Sequence, residues 1–302
     1  MRPYDFDMHR RLSHAALPVL LTAALTAAIT ACAPAEDDDA ADNGSGGTGE
    51  TASCDVADLP LLTDGTLTIG TDSPAYEPWF ADNDPTNGKG FESAVAYAVA
   101  DRLGFAADDV TWVTVPFNNS YAPGEKKFDF DVNQVSISPE RAQAVDFSRG
   151  YYTASQAVIA LDDSPVSDAS SVADLADYRL GAQTGTTSLT AIRDVIQPGD
   201  DPLVFEDTNA AKQALLNDQV DGIVADLPTA LYITAAEIPK ARIVGQFQVA
   251  EDQTEQFGLL FEKGSGLVPC VDEALDALEA DGTLADLEQQ WIPAATAVPE
   301  LP

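Results

Sequence analysis

The feature that most constrains the fold of this chain is the alternation of short β-rich runs with stretches of helical periodicity. Apolar residues recur at four-residue spacing from Phe91 to Leu103, which predicts a helix with one buried face. The runs predicted as strands are 67–70, 110–115, 128–132, 157–161, 179–182, 222–225, 242–244 and 257–261. Polar residues at Thr187 and Asn209 predict two further helix starts, and Asp281-Gly282 predicts a boundary between two late helices. Such alternation predicts an α/β fold with mostly parallel sheets.

Residues 1–31 have the pattern of a lipoprotein signal peptide. Arg10 and Arg11 precede an apolar run that is too short and too rich in Ala and Thr to span a bilayer as a settled helix. The run ends in Ile29-Thr30-Ala31-Cys32, which resembles the lipobox of bacterial lipoproteins. That resemblance implies cleavage before Cys32 and lipidation of its thiol. An ordinary signal peptide with an incidental cysteine is the alternative.

Residues 32–53 are predicted to form a disordered linker between the lipid anchor and the folded body. No large apolar side chain occurs between Pro34 and Thr51, so no burial offsets the entropy of ordering this segment. Beyond Cys32, only Cys54 and Cys270 remain, and in an oxidising compartment we expect them to form a disulfide. Two unpaired thiols are the alternative. A disulfide between such distant residues suggests two lobes rather than a single α/β domain.

Composition excludes several classes of protein. The chain has 50 acidic and 15 basic residues, a formal net charge of −35, so it would repel nucleic acid. Both histidines, His9 and His14, lie in the predicted signal peptide, which leaves the mature chain without an imidazole. That excludes Ser-His-Asp and Cys-His catalysis and a histidine-ligated zinc. Three cysteines are too few for a thiolate metal cluster. We therefore expect no metal and no cofactor.

Four segments carry the chemistry of the chain. They are 70–80, a strand end that continues into an aromatic, proline-rich loop; 90–92, which opens the first predicted helix; 128–148; and 185–228. In this order they resemble the amino-acid branch of the extracytoplasmic solute-binding proteins, family 3. The resemblance covers roughly residues 55–291.

The resemblance implies a two-lobed, periplasmic-binding-protein-like (type II) clamshell with two crossover hinge strands. The crossovers are expected near residues 155–160 and 253–257. Lobe 1 would comprise residues 55–157 and 257–302, and lobe 2 would comprise residues 158–256. A ligand that both lobes hold would favour the closed state of the hinge.

A free amino acid presents a carboxylate, an ammonium and a side chain, so its receptor needs a fixed cation, a fixed anion and a wall. The resemblance implies that Arg141 binds the α-carboxylate, for which its planar guanidinium is suited. It also implies that Asp226 binds the α-ammonium. The alternatives are an ion pair of Arg141 with Glu140 or Asp146, and an N-cap role for Asp226.

Further polar contacts are implied around these two charges. Gly185 and Thr187 lie at a predicted helix start, where backbone amides and a hydroxyl would face the carboxylate. A plain N-cap is the alternative for Thr187. Ser136 and Gln134 are implied to line the site from the first lobe, with strand-end hydrogen bonding as the alternative.

The wall and the distal end of the site are assigned in the same way. Tyr76 and Phe117 match aromatic residues that enclose the ligand's aliphatic part, and a place in the core is their alternative. Asp72 and Glu92 would reach a distal amine or amide. With Gln134, they favour a polar or cationic amino acid.

The sequence thus predicts a monomeric, non-enzymatic receptor, lipid-anchored at the extracytoplasmic face of the cell membrane. It would capture a free amino acid and deliver it to an ABC permease. One alternative is a ligand-sensing lipoprotein that feeds no transporter. Another is a dehydratase-like enzyme on the same fold, which would use a carboxylate for proton transfer.

Overall fold

The computed structural model of the protein describes residues 53–249, 254–293 and 298–302. The predicted signal peptide, the predicted lipidation site Cys32 and all but the last residue of the predicted linker lie outside these ranges. Within the described ranges, no helix combines the length and the apolar character that crossing a bilayer requires.

Strands and helices alternate along the described residues, as predicted. The strands are Leu67–Thr71 (β1), Val110–Thr114 (β2), Phe130–Asp131 (β3), Val145–Ala154 (β4), Gln156–Leu161 (β5), Leu180–Gln183 (β6), Leu203–Phe205 (β7), Gly222–Asp226 (β8), Ala241–Phe247 (β9) and Glu255–Glu262 (β10). The helices are Phe91–Arg102 (α1), Phe117–Ser120 (α2), Thr187–Ala191 (α3), Thr208–Leu216 (α4), Leu227–Tyr232 (α5), Val268–Ala280 (α6) and Thr283–Trp291 (α7). Each run predicted as a strand overlaps one of these strands.

The strands form two five-stranded sheets, each of which mixes parallel and antiparallel pairs. The first sheet has the order β2-β1-β3-β10-β4, and the second has the order β7-β6-β8-β5-β9. The prediction of mostly parallel sheets is wrong next to the crossovers, where β10 is antiparallel to β3 and β4, and β5 is antiparallel to β8 and β9. These strands follow a crossing between the sheets, so no strand–helix–strand connection fixes their direction.

Each sheet and its helices form one lobe of a two-lobed α/β clamshell. We call the lobe of the first sheet, with α1, α2, α6 and α7, the first lobe, and the lobe with α3, α4 and α5 the second lobe. The chain crosses to the second lobe at Ser155, between β4 and β5, and returns between β9 and β10. The crossings lie at or beside the two predicted crossovers.

The last described residues pack on the second lobe. The backbone N–H of Leu301 donates to the carbonyl oxygen of Gln246 at 2.8 Å, and that of Gln246 donates to Pro299 at 2.8 Å. The Leu301 side chain is buried in the core of the second lobe. It packs against Gly245, and a β-carbon on Gly245 would collide with it. The structure therefore corrects the predicted lobe 1 boundary for residues 298–302, because edge pairing and apolar burial draw this segment to the second lobe.

The core of the first lobe holds the loop that lines the cleft. Phe91, at the start of the predicted apolar face of α1, is completely buried. Trp79 packs edge-on against Tyr152 and Phe257, with ring centroids 5.3 and 5.6 Å apart. Its indole N–H donates to Thr229 Oγ1 of the second lobe at 2.9 Å. Burying a large apolar side chain contributes about 1.5–3 kcal/mol. The burial of Trp79 therefore holds the loop that follows β1 against the core.

A disulfide joins Cys54 to Cys270, with their Cα atoms 5.5 Å apart. Cys54 precedes β1, whereas Cys270 lies in α6 and is buried in the core of the first lobe. The two residues are 216 positions apart in sequence. The disulfide therefore ties the start of the described body to the helix that follows the second crossing.

Candidate functional site

The candidate site lies between the lobes, at the ends of strands from both sheets. β1 leads into the loop at 72–80, while β6 ends at Gln183 and β8 at Asp226. Ligands of open α/β sheets bind where such strand ends release their loops. The cavity there is lined from the first lobe by Asp72, Tyr76, Phe117, Asn133 and Gln134, and from the second by Thr186, Thr187, Ser188, Thr208 and Asp226, among others.

Arg141 lies in an adjoining cavity, which Ser136, Gly185, Thr187 and Glu255 also line. Its Nη1 donates to the Ser136 carbonyl at 2.7 Å, and its Nη2 donates to the Gly185 carbonyl of the second lobe at 2.9 Å. A guanidinium carries five N–H donors, so these two bonds do not exhaust it. Thr187 lines both cavities and thus lies between Arg141 and the Asp226 side.

Two aromatic rings support the guanidinium of Arg141. Its central carbon lies 4.7 Å from the ring centroid of Tyr121 and 5.5 Å from that of Phe117. The rings pack edge-on against each other. Burial lowers the pKa of Arg141, but the guanidinium stays charged at physiological pH. The site therefore contains a buried cation held between two aromatic side chains by cation–π contacts.

Ser136 and Thr187 meet across the cleft. Their hydroxyl oxygens lie 3.3 Å apart. The cap of α3 is Thr186, whose Oγ1 accepts from the backbone N–H of Leu189 at 3.1 Å. The Thr187 hydroxyl therefore does not cap the helix, and it faces the first lobe.

Asp226 belongs to a network that sequence reasoning missed. Nε2 of Gln156 donates to Asp226 Oδ1 at 3.1 Å and to Glu255 Oε2 at 2.9 Å. Glu255 in turn accepts from the Ser136 hydroxyl at 2.6 Å. Burial, and then the charge of Glu255, raise the pKa of Asp226 to about 8. The anionic side of the site is thus a pair of acids joined through one amide.

Glu92 lies behind the cavity lining rather than in it. Its side chain is completely buried and accepts hydrogen bonds from the Tyr151 hydroxyl and from the backbone and side-chain nitrogens of Gln134. Burial raises the pKa of Glu92 to about 7. Gln134, at φ +48°, does line the cavity. Gln134 therefore lies between Glu92 and the cavity, so the prediction that Glu92 itself reaches a ligand is not supported by its position.

Asp72, Tyr76 and Phe117 lie together on the first-lobe side of the cavity. Oδ1 of Asp72 accepts from the Ser73 backbone N–H at 2.6 Å, and Oδ2 accepts from that of Phe117 at 3.0 Å. These bonds hold the strand end against α2. Burial raises the pKa of Asp72 above its usual value.

A further acid, Asp131, also escaped sequence reasoning. It is completely buried, and neither carboxyl oxygen has a hydrogen-bond partner among the described residues. Burial raises its pKa well above the usual range. Gly70 leaves room for it, since a β-carbon there would lie 2.7 Å from Oδ2. The sequence signal that could have found Asp131 is an acidic residue inside a predicted strand. For Gln156 and Glu255, the signal is a polar residue within a predicted crossover.

Comparison with known proteins agrees with this architecture. The model of the bacterial extracellular solute-binding proteins, family 3, matches residues 67–294. The chain is similar to the L-cystine-binding protein TcyA of Bacillus subtilis (strain 168), with 29% identity over 284 residues that cover 91% of this chain and 96% of the relative. It is also similar to the ABC transporter arginine-binding protein 1 of Escherichia coli (strain K12), with 28% identity over 225 residues that cover 73% and 87%.

Solved structures agree as well. The ancestral amino acid-binding protein AncCDT-1, a precursor of cyclohexadienyl dehydratase, is 31% identical with a TM-score of 0.63, covering 76% of this chain and 96% of that one. An ancestral arginine-binding protein bound to glutamine is 28% identical with a TM-score of 0.64, covering 76% and 98%. Because the family model matches well over half of its length, the chain belongs to the bacterial extracellular solute-binding proteins, family 3.

Proposed function

We propose that the protein is the extracytoplasmic receptor of an ABC importer. It binds a free amino acid between its lobes, closes around it and delivers it to a membrane permease. A lipid on Cys32 anchors the protein to the membrane, and residues 32–53 serve as the linker between this anchor and the folded body. The relatives named above are themselves amino-acid-binding proteins, which supports the proposal.

The observation that carries the proposal is the placement of opposite charges in adjoining cavities of one cleft. Arg141, from the first lobe, is the partner for an α-carboxylate. Asp226, from the second lobe, is the partner for an α-ammonium, and Thr187 lines the cavities of both. Neither lobe alone satisfies both ends of a zwitterion, so a bound amino acid stabilises the closed state.

The hydrogen bonds to the two charges favour a zwitterion. Charge-assisted hydrogen bonds contribute about 1.5–3 kcal/mol each, so three or four of them contribute about 5–12 kcal/mol before the costs of association and closure. The polar first-lobe wall, with Asp72 and Gln134, favours a polar or cationic side chain.

We expect one or a few of the twenty common L-amino acids to raise the melting temperature of the protein. Binding only to the folded state stabilises it, by about 2.7 kcal/mol at a hundred times the dissociation constant. The matched controls are the α-hydroxy acid and the decarboxylated amine of each stabilising ligand. Each lacks one of the two charges, so neither should stabilise the protein at the same concentration. A full panel without any stabilising amino acid contradicts the proposed function.

The two other candidate functions are separated by simple observations. A sensor would bind the same ligands, but its gene would lie apart from genes for a permease and an ATPase. An enzyme would turn over arogenate or prephenate. The raised pKa of Asp226, about 8, would suit proton transfer, and AncCDT-1 is described as a dehydratase precursor. Product formation by wild-type protein, lost in Asp226→Asn, would favour the enzyme.

Replacing Gly185 by alanine is expected to weaken amino-acid binding about tenfold. Gly185 has φ +75° and faces the first lobe, where an added β-carbon would collide with the side chains of Asn118 and Tyr121. Overpacking of this kind costs about 1–3 kcal/mol, and here it falls on the closed state. Isothermal titration with a ligand from the panel measures the effect.

Gly264→Ala is the matched control for this substitution. Gly264 has a similar φ of +85°, but a β-carbon there meets nothing within 4 Å. It should therefore share the backbone strain and keep wild-type affinity. Asn118→Ala combined with Gly185→Ala should restore part of the lost affinity. Equal affinities for Gly185→Ala and Gly264→Ala would show that this contact plays no part in closure.

A further inference from the structure

Glu255 and Asp226 present two carboxyl groups to the same amide nitrogen. Nε2 of Gln156 donates one N–H to each of them, at 2.9 and 3.1 Å. Gln156 is completely buried, and its carbonyl oxygen accepts from the Ser188 hydroxyl at 2.6 Å. Because an ionised carboxylate only accepts hydrogen bonds and at least one of the two acids is ionised, the nitrogen of Gln156 faces the pair. The side-chain amide of Gln156 is therefore held by three hydrogen-bond partners, Asp226, Glu255 and Ser188.

Glu255 lies at the hinge end of the first lobe. It begins β10, directly after the second crossing, and pairs with Ala154 beside the first crossing. Gln156 begins β5 on the other side of Ser155. Glu255 also accepts from Ser136 of the first lobe, while Asp226 ends β8 of the second. The pair of acids therefore spans the hinge and contacts both lobes.

The charges around the pair leave it with excess negative charge. Glu92 of α1 adds to the repulsion at Asp226, and Arg141 supplies the attraction. Tyr151 and Tyr152 of β4 also face Asp226 but are neutral, since burial raises the pKa of both hydroxyls. Burial and the charge of Glu255 raise the pKa of Asp226 to about 8, which favours a protonated Asp226 at neutral pH.

We propose that Glu255 is a second carboxylate for the ligand's α-ammonium, and that the ammonium displaces a proton from Asp226. This inference rests on the proposed function. Before binding, Asp226 carries one proton. The incoming ammonium keeps its own protons, Asp226 becomes ionised, and its proton passes to the solvent. Glu255 thus favours ligands with a protonated amine over α-hydroxy or α-keto acids of the same shape.

Proton release sets the direction of the pH dependence. The complex holds fewer protons than the free protein, so rising pH favours binding. The dissociation constant should fall by up to about tenfold per pH unit between pH 6 and 8, and level off above the pKa of Asp226. The α-ammonium of a free amino acid stays protonated over this range.

The test is calorimetric titration at pH 7 in phosphate and in Tris, whose ionisation enthalpies differ. The probe is the L-amino acid that gives the largest rise in melting temperature among the twenty. Wild-type protein should release close to one proton per ligand bound. Glu255→Gln should release less than half as much, and its dissociation constant at pH 8 should be about tenfold higher.

The control variant is Glu125→Gln, the same change on an exposed first-lobe acid that lines neither cleft cavity. It should match wild type in both affinity and proton release. If Glu255→Gln does not fold, the wild-type pH profile still tests the inference. Tight binding without proton release and with a flat profile from pH 6 to 8 overturns it while the proposed function stands. Binding of no amino acid at all overturns the proposed function instead.

Discussion

Replacing Arg141 by alanine is expected to raise the dissociation constant for the bound amino acid at least about a hundredfold. Two charge-assisted hydrogen bonds to a carboxylate contribute about 1.5–3 kcal/mol each, so losing both costs at least about 3 kcal/mol. The substitution also removes the bonds from the guanidinium to the carbonyl oxygens of Ser136 and Gly185, which link the two lobes. Isothermal titration with the best ligand of the panel measures the loss.

Two further variants separate charge from geometry. Arg141→Lys keeps the positive charge but not the planar fork, so we expect an affinity between those of wild type and Arg141→Ala. Arg242→Ala removes a second-lobe arginine that bonds the Ser167 carbonyl at 2.9 Å, and it should bind like wild type. The melting temperatures of the unliganded variants report whether they fold. A folded Arg141→Ala that binds within threefold of wild type would remove Arg141 from the site.

Loss of the Cys54–Cys270 disulfide is expected to lower the free energy of unfolding by about 5 kcal/mol. The crosslink closes a loop between residues 216 positions apart, and in the chain-entropy model the stabilisation grows with the logarithm of loop length. For a body of this size, each kcal/mol shifts the melting temperature by about 2–4 °C. The double variant Cys54→Ser, Cys270→Ser should therefore melt about 10–20 °C below wild type in a calorimetric scan.

Reductant provides the control for the disulfide. It should lower the melting temperature of wild type to that of the double variant and leave the double variant unchanged. Both cysteines belong to the first lobe, and neither lines the cleft cavities, so the dissociation constant at 20 °C should be unaffected. A melting temperature that stays within 3 °C of wild type would mean that the crosslink does not constrain the unfolded chain.

Local patterns predicted the elements of the fold better than their directions. The apolar spacing from Phe91 to Leu103 predicted α1, since the same residues that set the period are buried. Strands β4 and β7 were missed, because buried residues recur only at every third position of β4 and because β7 has only three residues. Strand direction depends on where the chain crosses between sheets, which is a long-range property that no local run encodes.

The charged residues predicted for the site were named through the family resemblance, but their connections were not predicted. Residue chemistry required one cation and one anion for a zwitterion, and the resemblance singled out Arg141 and Asp226. Gln156 could not be named, since its role depends on the two crossings, which bring the start of β5 near the start of β10 and place Glu255 Oε2 2.9 Å from the Gln156 amide. Likewise, Thr186 rather than Thr187 caps α3, a difference of one residue that backbone geometry decides.

The two ends of the described body are fastened to different lobes. Cys54 holds the beginning to the first lobe, and Leu301 is buried in the second. Two fluorescent proteins, one fused before Ser53 and the other after Pro302, would therefore be attached to different lobes. If the proposed hinge closure occurs, energy transfer between them would change when ligand binds, so the native order of segments would suit an optical reporter.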